Sequence, residues 1–274
     1  MDMTHPAKLI SIPGSKLQAR NHFLVPVSMT LAILLWELAA RLGEFPAFIL
    51  PTPSLVLTRL VQVTGDGSLL RHTGVTLQEV VAGLALGVSS ATGLGYLLAK
   101  SRTVERLLAP YVVASQSVPI VAIAPLLVIW FGPGLISKVL ICALITFFPV
   151  LINTIVGVRS VPEDLSDLMR SLQSTRWQTF KLLEVPAALP IFLGGLRIGA
   201  TLSVIGAVVG EFVGADRGLG FLINRARGQY DTALVFVAVL TLVIMALALY
   251  SSVLWLEKRL LSWRERPEQP VLSE

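Results

Sequence analysis

Side chains that could carry chemistry are few in this chain, and their spacing excludes most reactions. His5, His22 and His72 are scattered and form no H-E-x-x-H arrangement, so no metal site is read from them. The single cysteine, Cys142, sits in an apolar run. One thiol excludes an intrachain disulfide and any C-x-x-C site, and its plain reading is a small buried hydrophobe. No G-x-x-x-x-G-K-[ST] phosphate loop is present: the one Lys-Ser pair, Lys100-Ser101, follows a leucine–alanine run. No serine, cysteine or carboxylate pair converges on a hydrolytic set. The expectation is a chain that is not an enzyme and has no cofactor, catalytic residue or metal ligand of its own.

The remaining chemistry is recognition, and residues 160–190 concentrate it. Ser160-Val161-Pro162-Glu163 fits a capping box, in which a serine oxygen and a glutamate each satisfy an orphan amide. Leu165, Leu168, Met169 and Leu172 follow at i, i+3, i+4 and i+7, one apolar stripe of a short helix. Gln173-Ser174 breaks the pattern. Thr175-Arg176-Trp177-Gln178 offers a second capping box, and Trp177 and Phe180 share a face of a second short helix. Val185-Pro186 is expected to end it, because proline disfavours helical geometry in the residue before it. Two amphipathic helices of this kind either lie on a membrane surface or dock into a groove on a soluble partner.

Polar groups inside apolar runs are the second candidates, since lipid makes them costly. Gln116, Thr146, Asn153, Thr201, Ser203 and Glu211 are candidate path-lining groups, and Glu211, near the end of its run, is also a candidate for pairing with a neighbouring helix. Glu37 and Arg197 lie near run ends, where long side chains reach the interface. Arg217, Arg225 and Arg227 form a basic outer loop that is solvated, docks an acidic receptor surface or attracts an anionic substrate.

The elements that position these groups follow from composition. Of 274 residues, 54% are hydrophobic and 14% charged. A soluble domain carries about 25% charged residues, so this chain lacks the groups to cover a water-facing surface. The mean hydropathy of +0.75 agrees. A crossing helix needs about 20 apolar residues, and six stretches supply them: 23–40, 80–99, 107–131, 139–158, 190–212 and 232–256. Gly132-Pro133-Gly134 separates the third from the fourth. Pro110, Pro119 and Pro125 remove backbone donors from the third, which predicts burial in protein or against a cavity. Gly83, Gly87, Gly93 and Gly95 of the second stretch allow close helix approach, and Gly199, Ser203, Gly206 and Gly210 of the fifth allow close approach or a smooth path wall.

With the N-terminus inside, lysines and arginines of the cytoplasmic segments outnumber those outside about two to one, Lys138 being counted outside. The chain is therefore expected to be an all-α, polytopic membrane protein with about six transmembrane helices. Residues 1–22 and 257–274 are cytoplasmic, and residues 23–256 form the membrane domain, with a cytoplasmic loop at about 159–190. The net charge of +5 is read as this topological bias rather than nucleic-acid binding.

Several runs resemble a known family. Asp167-Leu168-Met169-Arg170-Ser171-Leu172-Gln173, then Arg176-Trp177, then Leu182-Leu183-Glu184-Val185-Pro186-Ala187-Ala188-Leu189-Pro190 resemble the EAA loop of ABC importer permeases. Residues 119–127, Trp130-Phe131-Gly132, Phe148-Pro149, Asn153-Thr154, Gly157-Val158-Arg159 and Gly218-Leu219-Gly220 look like the nitrate/sulfonate/taurine branch. The resemblance covers about residues 50–262. Asp167 stands at the family's glutamate, Leu168 and Met169 at its alanines, and Gln173 at its glycine, the residue that turns left-handed most easily.

The resemblance implies a type I ABC importer permease in the bacterial inner membrane, forming a homodimer with both termini cytoplasmic. Its partners would be cytosolic ABC ATPase subunits and an extracytoplasmic substrate-binding protein. Asp167, Leu168, Met169, Leu172, Gln173, Arg176, Trp177, Phe180 and Pro186 would form the ATPase-coupling loop. The branch handles small solutes such as nitrate, sulfonates and taurine. Residues 210–220, together with Asp167-Leu168-Met169-Arg170-Ser171, look closer to members linked with thiamine pyrimidine precursors or riboflavin. The rival readings are a secondary transporter, which would want internal repeats and a charge relay, and a membrane-embedded enzyme.

Overall fold

The computed structural model describes residues 15–263, and every element in it is helical: among the described residues there is no strand. His5, Lys8, Arg264 and Arg266 lie outside them. The helices are α1 (Ser15–Leu42), α2 (Pro53–Gly65), α3 (Ser68–Lys100), α4 (Arg102–Gln116), α5 (Ile120–Phe131), α6 (Leu135–Arg159), α7 (Glu163–Ser171), α8 (Arg176–Thr179), α9 (Val185–Gly214), α10 (Leu219–Gly228) and α11 (Thr232–Leu260). Four continuous helical segments are long and apolar enough to cross a membrane, the third of them running from α8 through α9, and α4 with α5 makes a fifth if the bent pair is one span. Helix α1 covers the stretch expected as the first crossing.

The third expected span is the main departure. It breaks at Ser117–Pro119, and α4 and α5 meet at 95°. Proline at 119 disfavours helical geometry at Val118 and itself starts α5, while Pro110 and Pro125 are carried inside helices. Nor is the pair enclosed: α4 buries no residue and α5 only Ala124 and Leu127, leaving Tyr111, Ile129 and Trp130 exposed. The second span also begins earlier than its apolar run, because α3 opens at Ser68 and takes His72, Thr76 and Glu79 into buried positions.

The centre is α6, packed between α3 and α9, and the small residues make this possible. A side-chain carbon at Gly83 or Gly87 of α3 would collide with Cys142 or Thr146 of α6, and one at Gly95 would lie 2.8 Å from Thr154. On the other side, a carbon at Gly206 of α9 would lie 2.8 Å from the Cys142 backbone. Cys142 is thus the knob on which both stripes close, and it is free and buried. With no hydrophobic drive between helices in lipid, such close approach supplies the packing energy. Valine at Gly206 is expected to cost about 3 kcal/mol by overpacking, seen as a lower unfolding temperature of the detergent-purified chain. Gly194→Ala, with open space around it, is the neutral control.

Glu37 and Arg197 do not simply reach for the interface. Glu37 bonds Arg41 at 2.6 Å and the hydroxyl of Ser54 at 3.0 Å, tying α1 to α2. Arg197 of α9 pairs with Glu257 of α11 at 3.3 Å and lies over the Tyr250 ring.

Candidate functional site

Helices α7 and α8 stand clear of the bundle: neither buries a residue. Helix α7 and its C-cap present Leu165, Leu168 and Leu172 to solvent, and α8 presents Trp177, which is 68% exposed. Asp167 and Arg170 pair at 3.0 Å beside the stripe with both side chains exposed, so the pair adds little stability and leaves two charges available. Met169 and Phe180 are half-buried, and Gln173 and Arg176 are exposed.

The two caps fared differently. Thr175 and Gln178 form the second box in both directions. The first does not form: Ser160 lies in helical geometry at the end of α6, its hydroxyl bonds the Gly157 carbonyl, and α7 starts from Pro162. Ser160 is used to close the preceding helix, not to open the next.

Gln173 adopts the left-handed backbone (φ 54°) in spite of its side chain. The Ser174 amide donates to the Met169 carbonyl at 3.0 Å and the Gln173 amide to that of Arg170 at 2.9 Å, a Schellman closure of α7. The turn geometry that glycine would favour is therefore kept, at a cost of about 1 kcal/mol for the side chain. Gln173→Gly is expected to relieve that cost, slowing amide exchange across residues 163–175 about fivefold.

Pro186 does not end the helix as the sequence reading expected. The chain widens into a π-helical turn at Phe180–Glu184, and the Val185 amide donates to the Phe180 carbonyl, five residues back. Pro186 then sits in the first turn of α9, where its missing donor is tolerated. The loop and the spanning helix are thus one rod with a soft turn in it. On the inner side of that turn Glu184 is buried and bonds Tyr96 and Lys100 of α3.

The candidate path residues do not form one group. Thr146 and Ser203 are fully buried in helix contacts, each bonding carbonyls of its own helix. Thr201 is half-buried and does the same. Asn153 donates to the Pro149 carbonyl at 2.8 Å and packs against Gly195. Gln116 is exposed at the end of α4.

Glu211 has a richer setting than pairing alone. Its Oε1 accepts from the Thr76 hydroxyl at 2.6 Å and its Oε2 from the Gly220 amide. The Leu219 amide donates to Thr76 Oγ1 at 2.8 Å, and the Gly218 amide to His72 Nδ1 at 3.0 Å. The buried Lys138 ammonium lies 3.3 Å from Glu79, correcting its reading as an outer-loop cation. Gly218 takes φ 112°, and any side chain there would strike the Glu211 carboxylate. Three acceptors thus fix the start of α10 against α3 and α9, at the end of the bundle opposite α7 and α8. Arg225 and Arg227 are exposed on α10, and Arg217 just before it. The sequence reading missed His72, Thr76 and Glu79, whose i, i+4, i+7 spacing was the available signal.

The same chain matches the family model of the binding-protein-dependent transport system inner membrane component over residues 83–262. The chain belongs to this family. It is a permease subunit of an ABC importer and a multi-pass inner-membrane protein, not an enzyme; ATP hydrolysis belongs to separate subunits. Membership sets aside the secondary transporter and the membrane-embedded enzyme. Among relatives of this permease, the riboflavin transport system permease protein RibX of Chloroflexus aurantiacus is 47% identical over 87% of this chain and 89% of its own length. The formylaminopyrimidine transport permease protein ThiX of Halalkalibacterium halodurans is 37% identical over 85% and 93%. The taurine transport system permease protein TauC of Escherichia coli is 34% identical over 85% and 88%. The permease fold matches that of the MetNI methionine ABC transporter at a TM-score of 0.64, with 18% identity, over 72% of this chain and 98% of that one.

Proposed function

We propose that residues 159–190 are the element through which this permease takes up the ATPase stroke. The observation that carries this is the exposed stripe of Leu168, Leu172 and Trp177, flanked by Asp167, Arg170 and Arg176, on a helical pair that buries none of its own residues. Large apolar side chains held in water by a capped, closed turn suit a groove on a soluble partner. Met169, Gln173 and Phe180 shape the turn and its root, and Pro186 joins it to the spanning helix. ATP-driven closure of the two ATPase subunits would move two such knobs and switch access to the path between them. Both termini and this loop are then cytoplasmic, in keeping with the lysine and arginine bias. Cargo arrives on the opposite face from a binding protein.

The functional unit is a homodimer in this reading. Support comes from the bent pair α4–α5, which leaves Tyr111, Ile129 and Trp130 exposed on one chain. The cargo is a nitrogen heterocycle of the riboflavin or formylaminopyrimidine kind, on the ground that relatives named for those solutes are 47% and 37% identical, against 34% for the taurine permease.

A mild-detergent pull-down of the tagged chain, followed by an ATPase assay, tests the coupling. Recovery of an ATPase whose retention depends on residues 167–177 is expected. A permease recovered without it, from membranes where the partner is expressed, would refute the docking role. A ligand screen on the cognate binding protein tests the cargo, and binding of sulfonates alone would refute the heterocycle.

A further inference from the structure

The knob can transmit force only through its attachment to the spanning helices, and that attachment is specific. Helix α8 runs into the π-helical turn Phe180–Glu184, a wider and weaker ring than an α-turn. A chain of side chains crosses from it to α3. Trp177 stacks on Phe180 with ring centroids 5.5 Å apart, and Phe180 meets the Tyr96 ring edge-on at 5.4 Å. The Tyr96 hydroxyl donates to Glu184 Oε2 at 3.0 Å. Glu184 Oε1 pairs with the Lys100 ammonium, which also lies 5.9 Å from the Tyr96 ring centroid. Glu184 is thus joined to two side chains of α3, and its own side chain is 9% exposed.

Packing alone does not hold this turn. Beside it is a cavity of about 410 Å³, bounded by Tyr96, Thr154, Phe180, Glu184, Leu189 and Phe192. A turn with open space at its back is free to shift unless it is tied, because close packing is what makes protein interiors stiff. Yet the Lys100 side chain is 45% exposed, and an ion pair so wetted contributes little to folding. The arrangement fits a part whose value lies in geometry more than in stability.

We propose that Glu184 is a positioning residue of the transport cycle. It fastens the α7–α8 knob to the end of α3, so that displacement of the knob carries α3 and α9 as one body. Without it the soft turn flexes and the stroke is absorbed there. This rests on the docking of the knob to an ATPase, proposed above.

The test uses the assembled permease–ATPase complex with spin labels at Ser171→Cys on α7 and Leu97→Cys on α3, both exposed positions, while buried Cys142 does not label. In the otherwise native chain the distance between labels is expected to stay within about 2 Å between the nucleotide-free and ATP–vanadate states, the size of ordinary helix shifts. Glu184→Gln should shift or broaden that distance on adding ATP–vanadate, with the ATPase subunit still bound. Glu184→Gln with Lys100→Met should do no more than Glu184→Gln alone, because the two form one tie. Tyr96→Phe, which removes only a hydroxyl, is the second variant should Glu184→Gln not assemble, and should loosen the tie in the same direction. An unchanged distance in the variants overturns the proposal, as does a native distance that changes with nucleotide. Absence of the ATPase from the native complex would instead refute the docking reading itself.

Discussion

Replacing Leu168 and Trp177 together with glutamate is expected to abolish uptake while leaving the helices inserted. Both side chains are more than half exposed, so charges there cost the isolated permease little. On a partner's surface the balance reverses. A large aromatic or aliphatic anchor in an interface is worth about 2 kcal/mol or more, and a buried glutamate without a partner adds a desolvation penalty. Two such sites sum to at least about 4 kcal/mol, roughly a thousandfold in affinity for the ATPase. Asp167→Asn, by contrast, breaks a surface pair whose worth is below about 1 kcal/mol and should cost less than fivefold. The measurements are retention of the ATPase on the tagged permease and uptake into cells, normalised to permease in the membrane. Normal uptake by the double variant would sink the docking role.

What could be read from the sequence divides by period. Helices α6 and α11 announce themselves, because long apolar runs with no charge leave no alternative to a membrane helix. The loop was legible for a related reason: the spacing of Leu165, Leu168, Met169 and Leu172 and the Thr175–Gln178 box are local signals, and the structure forms both helices. The failures lie where a local signal had a non-local competitor. Ser160 could cap either helix, and it closed α6. Pro186 could end a helix, but a π-helical turn absorbed it. Gln173 kept a backbone that favours glycine because the Schellman bonds hold it there. Windows of hydropathy also cut α3 short at residue 80, since Glu79 counts against a span unless Lys138, 59 positions on, is known to meet it. No period in the sequence links those two residues.

That unannounced pair carries the other large effect. Lys138→Met is expected to destabilise the permease by about 3–5 kcal/mol, because it removes the cation facing two buried acidic side chains and leaves them uncompensated. For a chain of this size that corresponds to a fall in unfolding temperature of about 10 °C, read by thermal unfolding in mild detergent. The damage should be regional. Glu211 also accepts from Thr76 and from the Gly220 amide, so a cluster that opens releases the start of α10 from α3. Amide exchange should therefore rise first at Gly218–Gly220 and not in α7, which shares no partner with the cluster. Glu79→Gln alone removes one acid and leaves Lys138 near Glu211, so its loss should be smaller. Combining it with Lys138→Met should recover part of the stability, since the pair matters more when broken on one side than when replaced on both. If Lys138→Met unfolds at the native temperature, the cluster is not what holds α10 in place, and the backbone contacts of α9 and α11 must do so.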